Sequence, residues 1–308
     1  MTDLLAHPSL WRGDELADRD DWTASFSEAR PDWIRETLED GPGVLLLRGF
    51  PLDGRDEDSA REAFREWCGS LGTLLSQNEK GETVFDVSDA GYGKDDPRTR
   101  GPNSNRRLSF HTDRCDVIGF LCWKQARSGG ENEVVSSPHL HNEIARRRPD
   151  LLEALYRSYP YKRHSVDLGN PRPWIEQPVF SSRDGHFACS FLRVLIDRAH
   201  QDPDLPDLDP EQIEAIDFLE RIAEEEGNAL LYRQEPGDVL LLNNWVTLHR
   251  RSAFEDFEDP AEKRRLFRTW LSMPNSRPLD PRFADNFGAT ESGSVRGGFP
   301  TGPENETS

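Results

Sequence analysis

The chain is short of cysteine, of long apolar runs and of positive charge. Its four cysteines, Cys68, Cys115, Cys122 and Cys189, are scattered with no CxxC pair. That usage fits a reduced, cytoplasmic protein. No apolar run is long enough to span a membrane. The N-terminal MTDLLAHPSLWRGDELADRDDW is acidic and lacks the apolar stretch of a secretory leader. Lysine and arginine number 38 against 57 acidic residues, for a net charge of −19. A surface of that sign repels phosphate backbones, so nucleic acid is not expected as a partner. Much of the acidity sits in PDLPDLDPEQIEAIDFLERIAEEEG, which reads as a solvated helix and its leader. The acidic balance serves solubility, with a weak hint of a cationic substrate. Apolar residues are only 35% of the chain, but they cluster in runs that suffice for one core.

Those runs organise the chain. PDWIRETLED from Pro31 and the segment Glu57 to Leu71 read as helices. VLLL after Gly43 is continuously apolar, as in a strand buried on both faces. TVFDV is followed by a long loop, GYGKDDPRTRGPNSNRR, whose length points to function. VIGFLCWKQ from Val117 and SGGENEVVSS from Ser128 read as strands. PHLHNEIARRRPDLLEALY reads as two helices broken at Pro149. PVFSSRDGHFACSFL reads as a hairpin turning at Arg183-Asp184-Gly185. Two further strand regions, ALLYRQEPGDVLLLNNWVTLHRR and RRLFRTWLSM, follow the acidic helix. Strands at this density, with helices at the start and in insertions, suggest a mainly β architecture with helical additions, a sandwich or jelly roll. A single domain is expected, with its core over about 40–275 and a tail over about 276–308 that wraps the surface or frays.

The stretch LSFHTDRCD places His111 and Asp113 two residues apart, which on a strand puts both on one face. An HxD pair alone is common and fits an ordinary polar turn. His249 changes its weight. It emerges at the end of the apolar strand GDVLLLNNWVTLH, placed to point into a barrel. Two imidazoles and one carboxylate are the facial ligand set of non-haem Fe(II) oxygenases, which leaves three metal positions open. His139 and His141 in PHLHNE form a rival pair, but on a helix residues i and i+2 diverge. Fifteen residues after His249 comes RRLFRTWL, where alternation puts Arg264, Leu266 and Arg268 on one face. Two arginines inside a barrel are costly unless anions meet them, and a guanidinium suits a carboxylate.

HTD at 111–113, GGEN at 129–132, NNWVTLHRR at 243–251 and RRLFRTWL at 264–271 together resemble the TauD/TfdA family of taurine dioxygenase-like enzymes, including its clavaminate-synthase-like branch. The resemblance runs over roughly Val44 to Met273. It implies a double-stranded β-helix and Fe(II) held by His111, Asp113 and His249. It further implies 2-oxoglutarate as co-substrate, with its distal carboxylate on Arg264, and O2 as oxidant. Asn132 stands where the family commonly has Thr or Ser on the same carboxylate, and Arg250 where many relatives have Gly. Arg268 corresponds to a position that often meets an acidic group of the substrate.

The implied reaction oxidatively decarboxylates 2-oxoglutarate to succinate and CO2 and removes a substrate hydrogen. Halogenases of this group have a small residue in place of the carboxylate, so Asp113 favours hydroxylation. Desaturation, epoxidation and cyclisation start from the same step and stay open. Arg268, Arg193, Arg250, Phe110 and the long loop before His111 are the expected substrate determinants. The expected substrate is a small molecule, an amino acid or a carrier-bound or natural-product intermediate. No membrane partner is expected, and a homo-oligomer is left open. Two other classes compete: a Zn(II) hydrolase and a non-catalytic jelly roll that binds a small acid. The first leaves Arg264 and Arg268 unexplained. The second has no need of the three ligands together.

Overall fold

A strand covered on both faces can be apolar at every position, and the first four residues of Val44–Arg48 meet that condition. In the computed structural model, which describes residues 4–92, 101–163 and 172–299, this strand lies inside the larger of two sheets. The order there is Thr23–Ser25, Val44–Arg48, Val239–Asn243, Val117–Lys124, Arg265–Ser272. Thr73–Leu74 and Val84–Val87 both pair with the last of these. Leu45 and Leu47 face the helices Pro31–Asp40 and Glu57–Leu71, packing with Ile34, Leu38 and Phe64. Val44 and Leu46 face the other way, into the space between the sheets. The helix Glu57–Leu71 starts where Asp56 accepts the Ser59 N–H and buries Ala60, Phe64, Cys68 and Leu71. Gly119 makes room for that face: a Cβ there would lie 3.0 Å from Leu241 and 3.1 Å from Thr269.

The smaller sheet has the order Ala229–Tyr232, Asn132–Ser136, Thr247–Arg251. Val134 and Leu230 point toward the larger sheet. Val135 and Leu248 point outward, under the helices Ser137–Arg147, Pro149–Leu155 and Pro210–Ala223. Two antiparallel-rich sheets face to face with helices outside make the jelly-roll arrangement expected from the sequence. The expected helices and hairpin form as read. Pro149 separates two helices, and Asp184 and Gly185 turn the hairpin with φ of 52° and 83°.

The core begins earlier than the expected residue 40. Trp11, Leu16 and Trp22 are buried between the sheets, and Thr23–Ser25 pairs in parallel with Val44–Arg48. After residue 275 the chain packs tightly. Leu279, Phe283 and Phe287 cover Trp245, and Phe299 stacks on Trp270 at 5.7 Å. Residues 300–308 lie outside the described residues. Arg296 is the anchor of this segment. Its Nε donates to Asp116 Oδ1 at 2.6 Å, with both side chains no more than 2% exposed. Asp116 also accepts from Trp245 Nε1 and from the Met273 N–H. Removing the acid from this buried pair strands a guanidinium, so Asp116→Ala should cost about 3–5 kcal/mol. Arg146→Ala, which breaks an exposed pair with Glu143, should cost under about 1 kcal/mol. Urea unfolding measures both, and a loss below about 2 kcal/mol for Asp116→Ala would show that this pair does not anchor the segment.

Candidate active site

His111 and His249 are fixed by each other's backbone. They form a single antiparallel bridge in which each N–H donates to the other's carbonyl at 3.0 Å. That sets their rings side by side, with centroids 4.5 Å apart. LSFHTD is therefore not a continuous strand, as the alternation argument assumed. Asp113 is placed instead by its own N–H, which donates to Asn244 Oδ1 at 3.1 Å. Thr112 turns away as expected, pairing with the backbone of Phe191. The ligand atoms of His111, Asp113 and His249 lie within 4.8 Å of one another.

The donors are in the state a metal needs. The His111 Nδ1–H donates to the Ser109 carbonyl at 2.9 Å, which leaves Nε2 with its lone pair toward the centre. Burial, helped by His111 and Arg268 and opposed by Asp113, holds the His249 pKa down at about 3, so its imidazole is neutral. Burial alone would push the Asp113 carboxyl up. Arg268 at 3.6 Å and the two histidines outweigh it and hold the carboxyl below its ordinary value. Asp113 Oδ2 is buried and finds no hydrogen-bond partner among the described residues. Neutral imidazole, ionised carboxylate and an orphaned oxygen fit a divalent cation.

Behind the triad lies a cavity of about 750 Å³. Arg264 lines it and is 1% exposed. Its backbone N–H is capped by Asp256 Oδ1 at 2.8 Å. Its side-chain Nε and Nη1 have no partner among the described residues. Burial pulls its pKa down to about 10, against the opposing pull of Asp256. The double glycine gives it room. Gly129 and Gly130 both have positive φ, and a Cβ on Gly130 would lie 3.1 Å from Arg264 Nε. A buried guanidinium with free N–H groups fits the distal carboxylate of 2-oxoglutarate.

The other expected site residues divide. Arg268 lines the cavity, with Nε on Gln77 Oε1 at 2.7 Å and its plane between Phe85 and Trp270. Asn132 also lines it, but its amide donates to Gln234 Oε1 at 3.1 Å and the Tyr232 carbonyl at 3.4 Å. Its N–H groups are thus already used. Arg193 and Arg250 line the cavity with acids already beside them. Arg193 is held by Asp197, Asp217 and Glu220. Arg250 is held by Glu133 and Glu224 and lies 3.8 Å over the Phe110 ring. Both are walls of the cavity with their charge already met, so neither offers a bare cation to a substrate. Phe110 is 3% exposed and lines the cavity beneath Arg250. The loop before His111 falls partly outside the described residues, which omit 93–100. His139 pairs with Asn228, and His141 packs among Tyr156, Phe180 and Phe187, away from the triad. The sequence reading missed Arg251 and Asn244. Arg251 stands two residues after His249 on the same strand, so alternation alone could have flagged it.

The profile of the taurine catabolism dioxygenase TauD, TfdA family matches residues 9–270. An FR-33289 synthase from Streptomyces rubellomurinus is 32% identical over 79% of this chain and 72% of its own length. A taurine hydroxylase-like protein from Stachybotrys chartarum is 27% identical over 59% of this chain and 49% of its own length. Among solved structures, an asparagine oxygenase in complex with Fe(II), 3-hydroxyasparagine and succinate superposes with a TM-score of 0.61 at 20% identity. That match covers 80% of this chain and 81% of the other. The non-haem iron oxygenase OrfP, in complex with Fe and 2-oxoglutarate, gives 0.59 at 17% identity, covering 79% and 78%. No helix among the described residues is long and apolar enough to cross a membrane. With that family profile matching most of its length, the chain belongs to the TauD/TfdA family of Fe(II)- and 2-oxoglutarate-dependent dioxygenases.

Proposed function

We propose that this dioxygenase hydroxylates an unactivated C–H of a small, amino-acid-like or natural-product substrate, with His111, Asp113 and His249 holding Fe(II) and Arg264 holding 2-oxoglutarate. The observation that carries the reading is a buried guanidinium with unpartnered N–H groups in the same cavity as a two-histidine, one-carboxylate cluster. A zinc hydrolase would need only the cluster, and a small-acid-binding jelly roll only the guanidinium. The bound iron and co-substrate supply O2 activation coupled to loss of CO2 and leave succinate. The chain's own part is to hold and to exclude. His111 and His249 present ring nitrogens, the His249 imidazole neutral, and Asp113 presents an ionised oxygen. Arg264 fixes the far end of the co-substrate. Phe120 packs edge-on against His249 at 5.9 Å and keeps water from that ligand's face.

Arg268 is the candidate anchor for an acidic group of the substrate, since it faces the cavity beside Asp113. The amino-acid reading draws support from two solved relatives, whose complexes contain 3-hydroxyasparagine and (3S)-hydroxy-L-arginine. A carrier-bound amino acid would meet the same groups. Asp113 fills the third ligand position, which favours hydroxylation over halogenation.

In air with Fe(II) and 2-oxoglutarate, a panel of amino acids and their carrier-bound forms should identify a substrate by succinate yield. His111→Ala should lower that yield by about 100-fold or more, since even residues that only orient metal ligands are worth 10–100-fold. Unchanged yield, or activity retained with zinc in place of iron, would sink the assignment. Arg268→Ala should lower substrate-dependent turnover about tenfold or more, while substrate-independent succinate formation persists. An equal loss of both rates would remove Arg268 from substrate binding. Arg264→Met should raise the Tm of the ligand-free protein, because it removes a buried cation whose Nε and Nη1 have no hydrogen-bond partner among the described residues. A fall in Tm would mean that the arginine has a structural partner.

A further inference from the structure

Along Thr247–Arg251 alternate side chains share a face, so Arg251 points with His249 and away from Arg250. In the sheet it stands opposite Asn132. The residue is 5% exposed and lines the cavity. Its Nε donates to the Ser252 carbonyl at 3.1 Å and its Nη2 to the Arg106 carbonyl, both uncharged acceptors. Its Nη1 is buried with no partner among the described residues. Arg251 and Arg264 both lie against the Phe254 ring, 4.7 and 5.0 Å from its centroid. The strand that carries the third metal ligand therefore also carries a second buried cation, next to the first.

Two such cations together need a reason. Asp256 is within electrostatic reach of both; Asp89 reaches Arg251, and Arg233 reaches Arg264. Asp89 is partly exposed and Arg233 exposed, and their charges cancel. That leaves Arg251 and Arg264 against one carboxylate, Asp256, whose Oδ2 is buried and unpartnered. The local balance is one positive charge in excess of neutral, and one incoming carboxylate closes it. Without Arg251, Arg264 and Asp256 would already balance. The same carboxylate would then enter a site that its charge makes negative.

We propose that Arg251 is a second cationic anchor for the distal carboxylate of 2-oxoglutarate, acting beside Arg264. The proposal rests on the co-substrate reading given above. It also accounts for the one positive charge that Asp256 leaves unmatched between the two arginines.

The test is an anaerobic titration of the Fe(II)-loaded protein, followed by the visible charge-transfer absorption of the chelated 2-oxo acid. Wild type, Arg251→Gln and Arg264→Gln are each titrated with 2-oxoglutarate and with pyruvate, which chelates alike but has no distal carboxylate. Arg251→Gln should raise the Kd for 2-oxoglutarate about tenfold or more. It should leave pyruvate within about twofold, and the ligand-free Tm should hold or rise. A 2-oxoglutarate Kd that is unchanged in Arg251→Gln but raised in Arg264→Gln overturns this inference alone. A Kd unchanged in both variants overturns the co-substrate reading with it. Equal weakening of both acids with a fall in Tm would make Arg251 a structural prop, and would also overturn the proposal.

Discussion

The site depends on one pair of backbone hydrogen bonds, exchanged between His111 and His249 at 3.0 Å each way. They join a segment that enters from the long loop to the last strand of the smaller sheet. Without them His111 would belong to a loop, and its ring would have no fixed relation to His249. With them, two imidazoles from positions far apart in sequence face one centre. The third ligand is then a short-range matter: Asp113 needs only the Asn244 side chain to hold its backbone in place. Asn244 in turn takes the Asp116 carbonyl on its own N–H. The loop between Asp113 and Asp116 is thus tied to the end of a core strand at one side and to Arg296 at the other.

Buried charge shows where this protein stores function. Arg193, Arg250 and Arg296 are buried or half-buried, and each meets at least one carboxylate. They act as structure, closing walls and fastening the C-terminal segment. Arg264 and Arg251 are buried with donors left over and no ion pair among the described residues, whereas Arg296, which also keeps one donor over, is met by Asp116. A folded chain tolerates such groups only where a ligand completes them, because desolvating a cation without a partner is expensive. The contrast separates the arginines without an ion pair from those with one more sharply than cavity lining does, since all of these except Arg296 border the same space.

Much of this was legible beforehand. The helices at Pro31 and Glu57, the break at Pro149 and the hairpin at Asp184-Gly185 follow from local rules: proline, caps, periodicity and turn residues. The cluster of His111, Asp113 and His249 and the placing of Arg264 in the same cavity were legible from residue types and spacing together with the family resemblance. That Arg193 and Arg250 are already paired was not legible, because a sequence shows that an arginine is present but not which acids lie across from it. Glu224 and Glu133 come from a helix end and a neighbouring strand, and only folding brings them to Arg250. Trp11 and Trp22 were placed outside the core because their burial depends on the pairing of Thr23–Ser25, an edge strand of three residues.

The sequence by itself determined the elements, the double-layered β architecture and the chemical types at the centre: two imidazoles, one carboxylate and arginines behind them. Those are properties of single residues and of spacing along one strand, which alternation makes readable. Only the tertiary structure decided which arginines keep free donors, that LSFHTD meets His249 through one bridge rather than a strand, and that Asn132 spends its amide on Gln234. Each of those depends on a partner supplied by a distant segment. Burial and hydrogen-bond completion are properties of the packed whole.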